Sequence, residues 1–217
     1  MKLTMLNKIV LAAAVCVLAA PAFAAGDLSS TNQPPSITPA DFAWDAALIN
    51  YKEIRLGEAA QTNSQNAAVQ EFGKHMVRDH SRLNDRLVKI AQSEGLPLPD
   101  TNVFYVPVTA PENKPATELM EETPQERLLD AQLDVQNLAS KTGPDFDQAY
   151  AEAMVKGHQK AMAKFQNASE SLQDEQLKKY ANRGLRVIRD HYEMAQKLQS
   201  EVETNTPAGM TNSAPNM

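Results

Sequence analysis

Four long segments of the chain repeat apolar residues three and four positions apart, the spacing that lines one face of an α-helix. Phe42, Ala46, Ile49, Leu56 and Ala60 make the first stripe, and Val69, Phe72, Met76, Leu83, Leu87 and Ile90 the second. Tyr150, Met154, Ala161 and Phe165 make the third, and Leu177, Ala181, Ile188, Ala195 and Leu198 the fourth. No alternating strand pattern competes with them, although Val103 to Val108 suits an extended piece lying on the helices.

Prolines frame these segments. None lies between Pro39 and Pro97 or between Pro144 and Pro207, whereas Pro97, Pro99, Pro107, Pro111 and Pro115 crowd the stretch between the two windows. Thr38-Pro39-Ala40-Asp41 predicts an N-cap followed by proline at the first helical position. The polar run Asn63 to Asn66 predicts the turn to the second helix, which Gly95 and Pro97 should end. Thr123-Pro124-Gln125-Glu126 is a capping-box pattern, so a shorter helix should start there and end near Gly143. The second window predicts a helix from about Pro144 to Ser169, a turn near Leu172 to Asp174, and a last helix to about Ser200. The expected fold is all-α: four antiparallel helices with a short accessory helix in the long crossover from Gly95 to Thr123.

The ends read differently. Lys2 and Lys8 flank a positive start, Ile9 to Ala20 is almost unbroken apolar sequence, and Ala22-Phe23-Ala24 offers a small-x-small cleavage pattern. Residues 1–24 are therefore expected to be a signal peptide, too short in its apolar part to span a bilayer as the ~20 residues of a membrane helix do. A flexible leader is expected over 25–37, the helical bundle over 38–202, and a disordered polar tail over 203–217. The expected location is the periplasm or the exterior, with no membrane anchor after processing.

Composition narrows the chemistry. The 217 residues carry 21 basic and 27 acidic side chains, a net charge of −6. Removal of residues 1–24 takes two lysines and no acids, leaving 19 against 27 and a charge of −8. Such a balance argues against a nucleic-acid binder, which needs a basic face. The single Cys16 falls within the expected signal peptide. The mature chain thus has no thiol for catalysis, metal ligation or a disulfide.

The interruptions of the apolar stripes carry the most information. His80 falls on the stripe between Met76 and Leu83, His158 between Met154 and Ala161, and His191 between Ile188 and Ala195. Glu53 takes the matching place between Ile49 and Leu56, while His75 lies off its stripe. Local sequences echo one another: Met76-Val77-Arg78-Asp79-His80, Met154-Val155-Lys156-Gly157-His158 and Val187-Ile188-Arg189-Asp190-His191. Gly73 precedes His80 by seven positions and Gly184 precedes His191 by seven, which suggests a weak internal duplication and close helix approach at both glycines.

Three histidines and one glutamate make a plausible donor set for a divalent transition metal, zinc, copper or iron. The bland alternative is a set of core histidines satisfied by neighbours, for instance His191 by the supporting residues Asp147 or Tyr150. The protein would then be a structural or interaction module of the cell envelope, with a buried histidine cluster open to a pH response. Turns placed near Ser64 and Ser171 set Glu53 and His80 roughly 7–8 Å apart along the bundle, and His158 and His191 roughly 10 Å apart, at 1.5 Å per residue. Neighbouring helical residues point about 100° apart, so Asp79 and Asp190 should not orient the histidines that follow them.

The ordered set Glu53-x-x-Leu56-Gly57, Phe72, Met76-Val77-x-Asp79-His80, Phe146-Asp147-x-x-Tyr150, His158 and His191 resembles the domain-of-unknown-function family 4142, over roughly Asp41 to Leu198. The resemblance implies a ferritin-like four-helix bundle and an exported location, and supplies no activity. The di-iron sites of ferritin-like bundles use Glu-x-x-His on two helices. Val77, Val155 and Ile188 stand three residues before His80, His158 and His191, so di-iron oxygen chemistry and iron storage of that type are not expected, and no enzymatic reaction is assigned.

Overall fold

The computed structural model describes residues 37–102 and 122–205. These form five helices and no strand: α1 (Pro39–Asn63), α2 (Ala67–Glu94), α3 (Pro124–Ala139), α4 (Gly143–Ser171) and α5 (Glu175–Asn205). The expected signal peptide over 1–24, most of the leader over 25–37, the Val103 to Val108 piece and residues 206–217 lie outside the described residues. Among the described residues no helix is long and apolar enough to cross a membrane.

Local chemistry fixes most of the helix ends. Thr38 accepts a hydrogen bond from the Asp41 amide and opens α1, with Pro39 at the start. Asn66 caps α2 by accepting from Ala68 N, and Gly95, at φ 66°, closes it in the left-handed conformation that glycine adopts without strain. At α3 both halves of the capping box are formed: Thr123 Oγ1 accepts from Glu126 N, and Glu126 Oε2 accepts from Thr123 N.

Two boundaries differ from the sequence reading. Helix α3 stops at Ala139, where Ser140 caps it, and Gly143 (φ 61°) begins α4 instead of ending α3. Helix α5 runs to Asn205, past the expected end near Ser200 and into the expected tail. The reason is Val202, buried one turn beyond Leu198 on the same stripe. Ile37, assigned to the leader, packs against the bundle.

The three-residue links join α1 to α2 and α4 to α5 as antiparallel hairpins. The hairpins meet through α2 against α5 and α1 against α4, giving a helical bundle. Helix α3 docks mainly on α1, through Leu128 and Ala131 against Leu48 and Trp44. Asp45 receives Arg127 at 2.6 Å and Lys164 at 2.5 Å, and Lys52 meets Asp134 at 2.5 Å.

The core has two apolar compartments. One contains Phe42, Leu83, Leu87, Phe165, Leu177, Tyr180 and Ile188, with Phe42 and Phe165 edge to face at 5.2 Å. The other contains Leu56, Phe72, Met76, Phe146, Tyr150, Met154, Leu198 and Val202. Each long helix passes from one compartment to the other, and at each crossing it contributes a buried polar residue.

Of the two glycines that precede His80 and His191, only Gly73 marks the close helix approach expected at both. A Cβ on Gly73 would lie 2.7 Å from both Gly57 O and Ala60 Cβ, so α1 and α2 meet nearly backbone to backbone there. A Cβ on Gly184 would lie 2.3 Å from the Phe165 ring, so this glycine makes room for an aromatic side chain.

Candidate metal centre

His80, His158 and His191 meet between the two apolar compartments. They are 1%, 1% and 3% exposed, and one ring nitrogen of each lies within 4.8 Å of the others. Ring centroids are 5.3 Å apart for His80 and His191, 5.5 Å for His158 and His191, and 6.0 Å for His80 and His158. Among the described residues this cluster consists of the three histidines alone.

The convergence follows from where the turns fall. The loops are centred on Gln65 and Gln173, not on Ser64 and Ser171. Glu53 then lies twelve residues before its turn and His80 fifteen after; His158 lies fifteen before and His191 eighteen after. Each offset of three residues is about 4.5 Å along the axis, roughly half of what the misplaced turns implied.

Each histidine has one ring nitrogen held from outside the cluster. His80 Nδ1 is 3.1 Å from Asn50 Oδ1, His158 Nδ1 is 2.8 Å from the Met154 carbonyl, and His191 Nε2 is 3.3 Å from Asp79 Oδ2. An amide oxygen, a carbonyl and a carboxylate are all acceptors, so each of these nitrogens carries the proton. The remaining atoms, His80 Nε2, His158 Nε2 and His191 Nδ1, are buried without a hydrogen-bond partner. In neutral rings they are lone pairs. An unsatisfied buried polar atom costs roughly 1–3 kcal/mol.

Electrostatics favours neutral His80 and His191. Burial first, and then His158 and His191, hold the His80 imidazole well below its ordinary value against the opposing pull of Asp79. His191 is lowered to about 4 by burial and by His158, with Asp79 opposing. The Asp79 carboxyl is lowered to about 2, chiefly by its hydrogen bond from Arg78 and further by His191. Neutral imidazole is the form that ligates metals, and an outer acceptor on the second nitrogen fixes the ring's tautomer and orientation.

Glu53 is buried beside the histidines and outside the close cluster. Its Oε1 approaches Gly157, and its Oε2 has no hydrogen-bond partner. Burial raises its pKa, while His158 and then Lys52 draw it back. Tyr150 and Asp147 are also buried, with the Tyr150 hydroxyl and Asp147 Oδ1 unpartnered. Burial and then Glu53 raise the Tyr150 pKa well above its ordinary value. Neither holds His191, contrary to the expectation for a satisfied core histidine: that role belongs to Asp79.

Two residues of the site escaped the sequence reading. Asn50 is fully buried, whereas Ile49, expected on the stripe, is only partly so. Asn50 Nδ2 donates to the Tyr180 hydroxyl at 3.0 Å while its oxygen holds His80. Its signal was present, since Ala46, Asn50, Glu53 and Leu56 share the spacing of one helical face. Asp79 was set aside because it cannot reach its own neighbour, and it serves His191 across the bundle instead.

A family model described as "Domain of unknown function (DUF4142)" matches residues 25–198. No curated protein and no solved structure is matched. The match takes in all three histidines, Glu53 and the residues that orient them, and the chain belongs to this family.

Proposed function

We propose that this protein binds one divalent transition metal ion, zinc, copper or iron, through His80 Nε2, His158 Nε2 and His191 Nδ1. One observation carries the reading: a ring nitrogen of each of three buried histidines lies within 4.8 Å of the others, and each ring keeps one buried nitrogen unpartnered while an outside acceptor pins the other. Coordination satisfies all three at once, and no rearrangement of hydrogen bonds among neutral rings does so. Tetrahedral zinc at about 2.0–2.1 Å from nitrogen places its ligands about 3.3–3.4 Å apart, so the rings close inward slightly on binding. Glu53 stands next to His158 as the carboxylate available for a further coordination position.

The same reading takes the bundle as ferritin-like, two hairpins joined by a long crossover that includes α3, with the metal between its helices. The missing Glu-x-x-His pairs make the centre mononuclear. Export follows from the Ile9 to Ala20 run and the Ala22-Phe23-Ala24 pattern, and the family match starts at residue 25, just past that pattern. The acidic charge supports a role without nucleic acid.

Ligand binding to the folded state alone stabilises it by mass action, about 2.7 kcal/mol at a hundredfold excess over Kd. Zinc added to metal-free protein should therefore raise its melting temperature by several degrees, and leave the His80→Ala/His158→Ala protein unmoved. Equal shifts in both would locate binding elsewhere. No shift in either would leave the histidines as core residues of a structural or interaction module.

A further inference from the structure

A cavity of about 380 Å³ opens between α1, α3 and α4, and its inner wall is formed by neighbours of the metal centre. Met154 lines it and also provides the carbonyl that holds His158. Gly157, the residue before His158, lines it beside Glu53. Position 157 has no side chain, and a Cβ there would already touch Glu53 Oε1 at 3.5 Å. Glu53, 6% exposed and with an unpartnered Oε2, lines the cavity and interacts electrostatically with His158, so it stands between the cavity and the histidines.

The mouth is basic although the protein is acidic. Lys52, Lys141, Lys156 and Lys160 line it against two acids, Asp134 and Glu53. Lys52 is paired with Asp134, and Lys156 with Glu152 on its own helix. Lys141 and Lys160 have no ion-pair partner among the described residues. A cleft lined by one sign of charge concentrates ions of the other and raises their association rate, by tenfold or more in strong cases.

We propose that this cleft is the entrance to the centre and that it admits a small inorganic anion, which binds the metal as an exchangeable ligand past Gly157 and Glu53. The inference rests on the metal reading above. Three protein ligands leave a position open, as in metal sites that take an exogenous ligand. The lysines select the charge of what arrives, and the bare backbone at Gly157 sets its size.

The test uses cobalt(II)-loaded full-length protein, with azide as the probe and the cobalt absorption spectrum as the readout. Metal content is measured on every sample, so failure to load is seen separately from failure to bind azide. Azide should shift the spectrum saturably. The Lys141→Glu/Lys160→Glu protein should take it up about tenfold more slowly, with a weaker or reversed salt dependence. Gly157→Val should slow association at least as much while retaining cobalt. The lysine pair is exposed and separates the proposal from any folding defect of Gly157→Val. Protein that holds cobalt with a spectrum indifferent to azide would overturn the anion; unchanged rates in both variants would overturn the entrance. Protein that takes up no cobalt would refute the metal reading and this inference with it.

Discussion

At the scale of single residues, the site depends on acceptors that never face the interior of the cluster. Asp79, held by Arg78 at 2.8 Å, aligns His191 from α2, so its charge reaches the centre through the ring it orients. Replacing such an outer acceptor typically lowers metal affinity 10–100-fold. Asp79→Asn should reduce zinc affinity by that factor in a competition titration while helicity is retained; unchanged affinity would separate Asp79 from the centre. The same histidines set a pH dependence. Two of them have depressed folded pKa values, His80 well below 6.5 and His191 at about 4. Unfolded histidines near 6.5 bind protons first, so stability is intact above about pH 6.5 and falls as pH drops towards 4. His80 and His191 each contribute a slope of at most about 1.4 kcal/mol per pH unit in that window. Urea unfolding of metal-free protein at pH 7 and pH 5 should show the loss, and His80→Phe should reduce it. Equal stability at both pH values would contradict neutral burial.

At the scale of elements, glycines distinguish where helices must touch from where they need not. Gly73→Ala presses a Cβ against the Gly57 carbonyl and Ala60, neither of which can swing aside, and should destabilise by about 1–3 kcal/mol. Gly157→Ala meets only Glu53 Oε1 at an ordinary 3.5 Å and should stabilise by about 0.5–1 kcal/mol through helix propensity. Chemical denaturation of the two variants should give opposite signs, and the same sign would refute this account of the α1–α2 contact. Caps and stripes were legible in the sequence because their physics is local: Thr38, Gly95 and the Thr123–Glu126 box act within a few residues. The inward histidines were legible for the same reason, as breaks in a 3.6-residue period. Asn50 was not, because a shift of one position along α1 made Ile49 the apparent inward residue. Asp79 was not, because its partner lies 112 residues away on α5, where only packing could place it. The convergence of the rings was hidden by turn positions misplaced by one and two residues. Val202 carried α5 beyond its expected end by adding one more buried turn.

At the scale of the molecule, two apolar compartments sandwich one polar layer, and four helices each cross it once. Asn50 and Glu53 come from α1, His80 from α2, His158 from α4 and His191 from α5. A bundle built for stability alone would fill that layer with apolar side chains, since partly satisfied buried polar groups cost more than a hydrophobic core. On the proposal made above the layer is a binding site, and binding would then contribute directly to folding. The most direct test is elemental analysis of tag-free protein from metal-supplemented cells, beside the His80→Ala/His158→Ala variant. The account predicts close to one zinc, copper or iron per chain in the first and none in the second. Metal-free protein with full helicity, taking up none of the three ions when they are supplied, would contradict it.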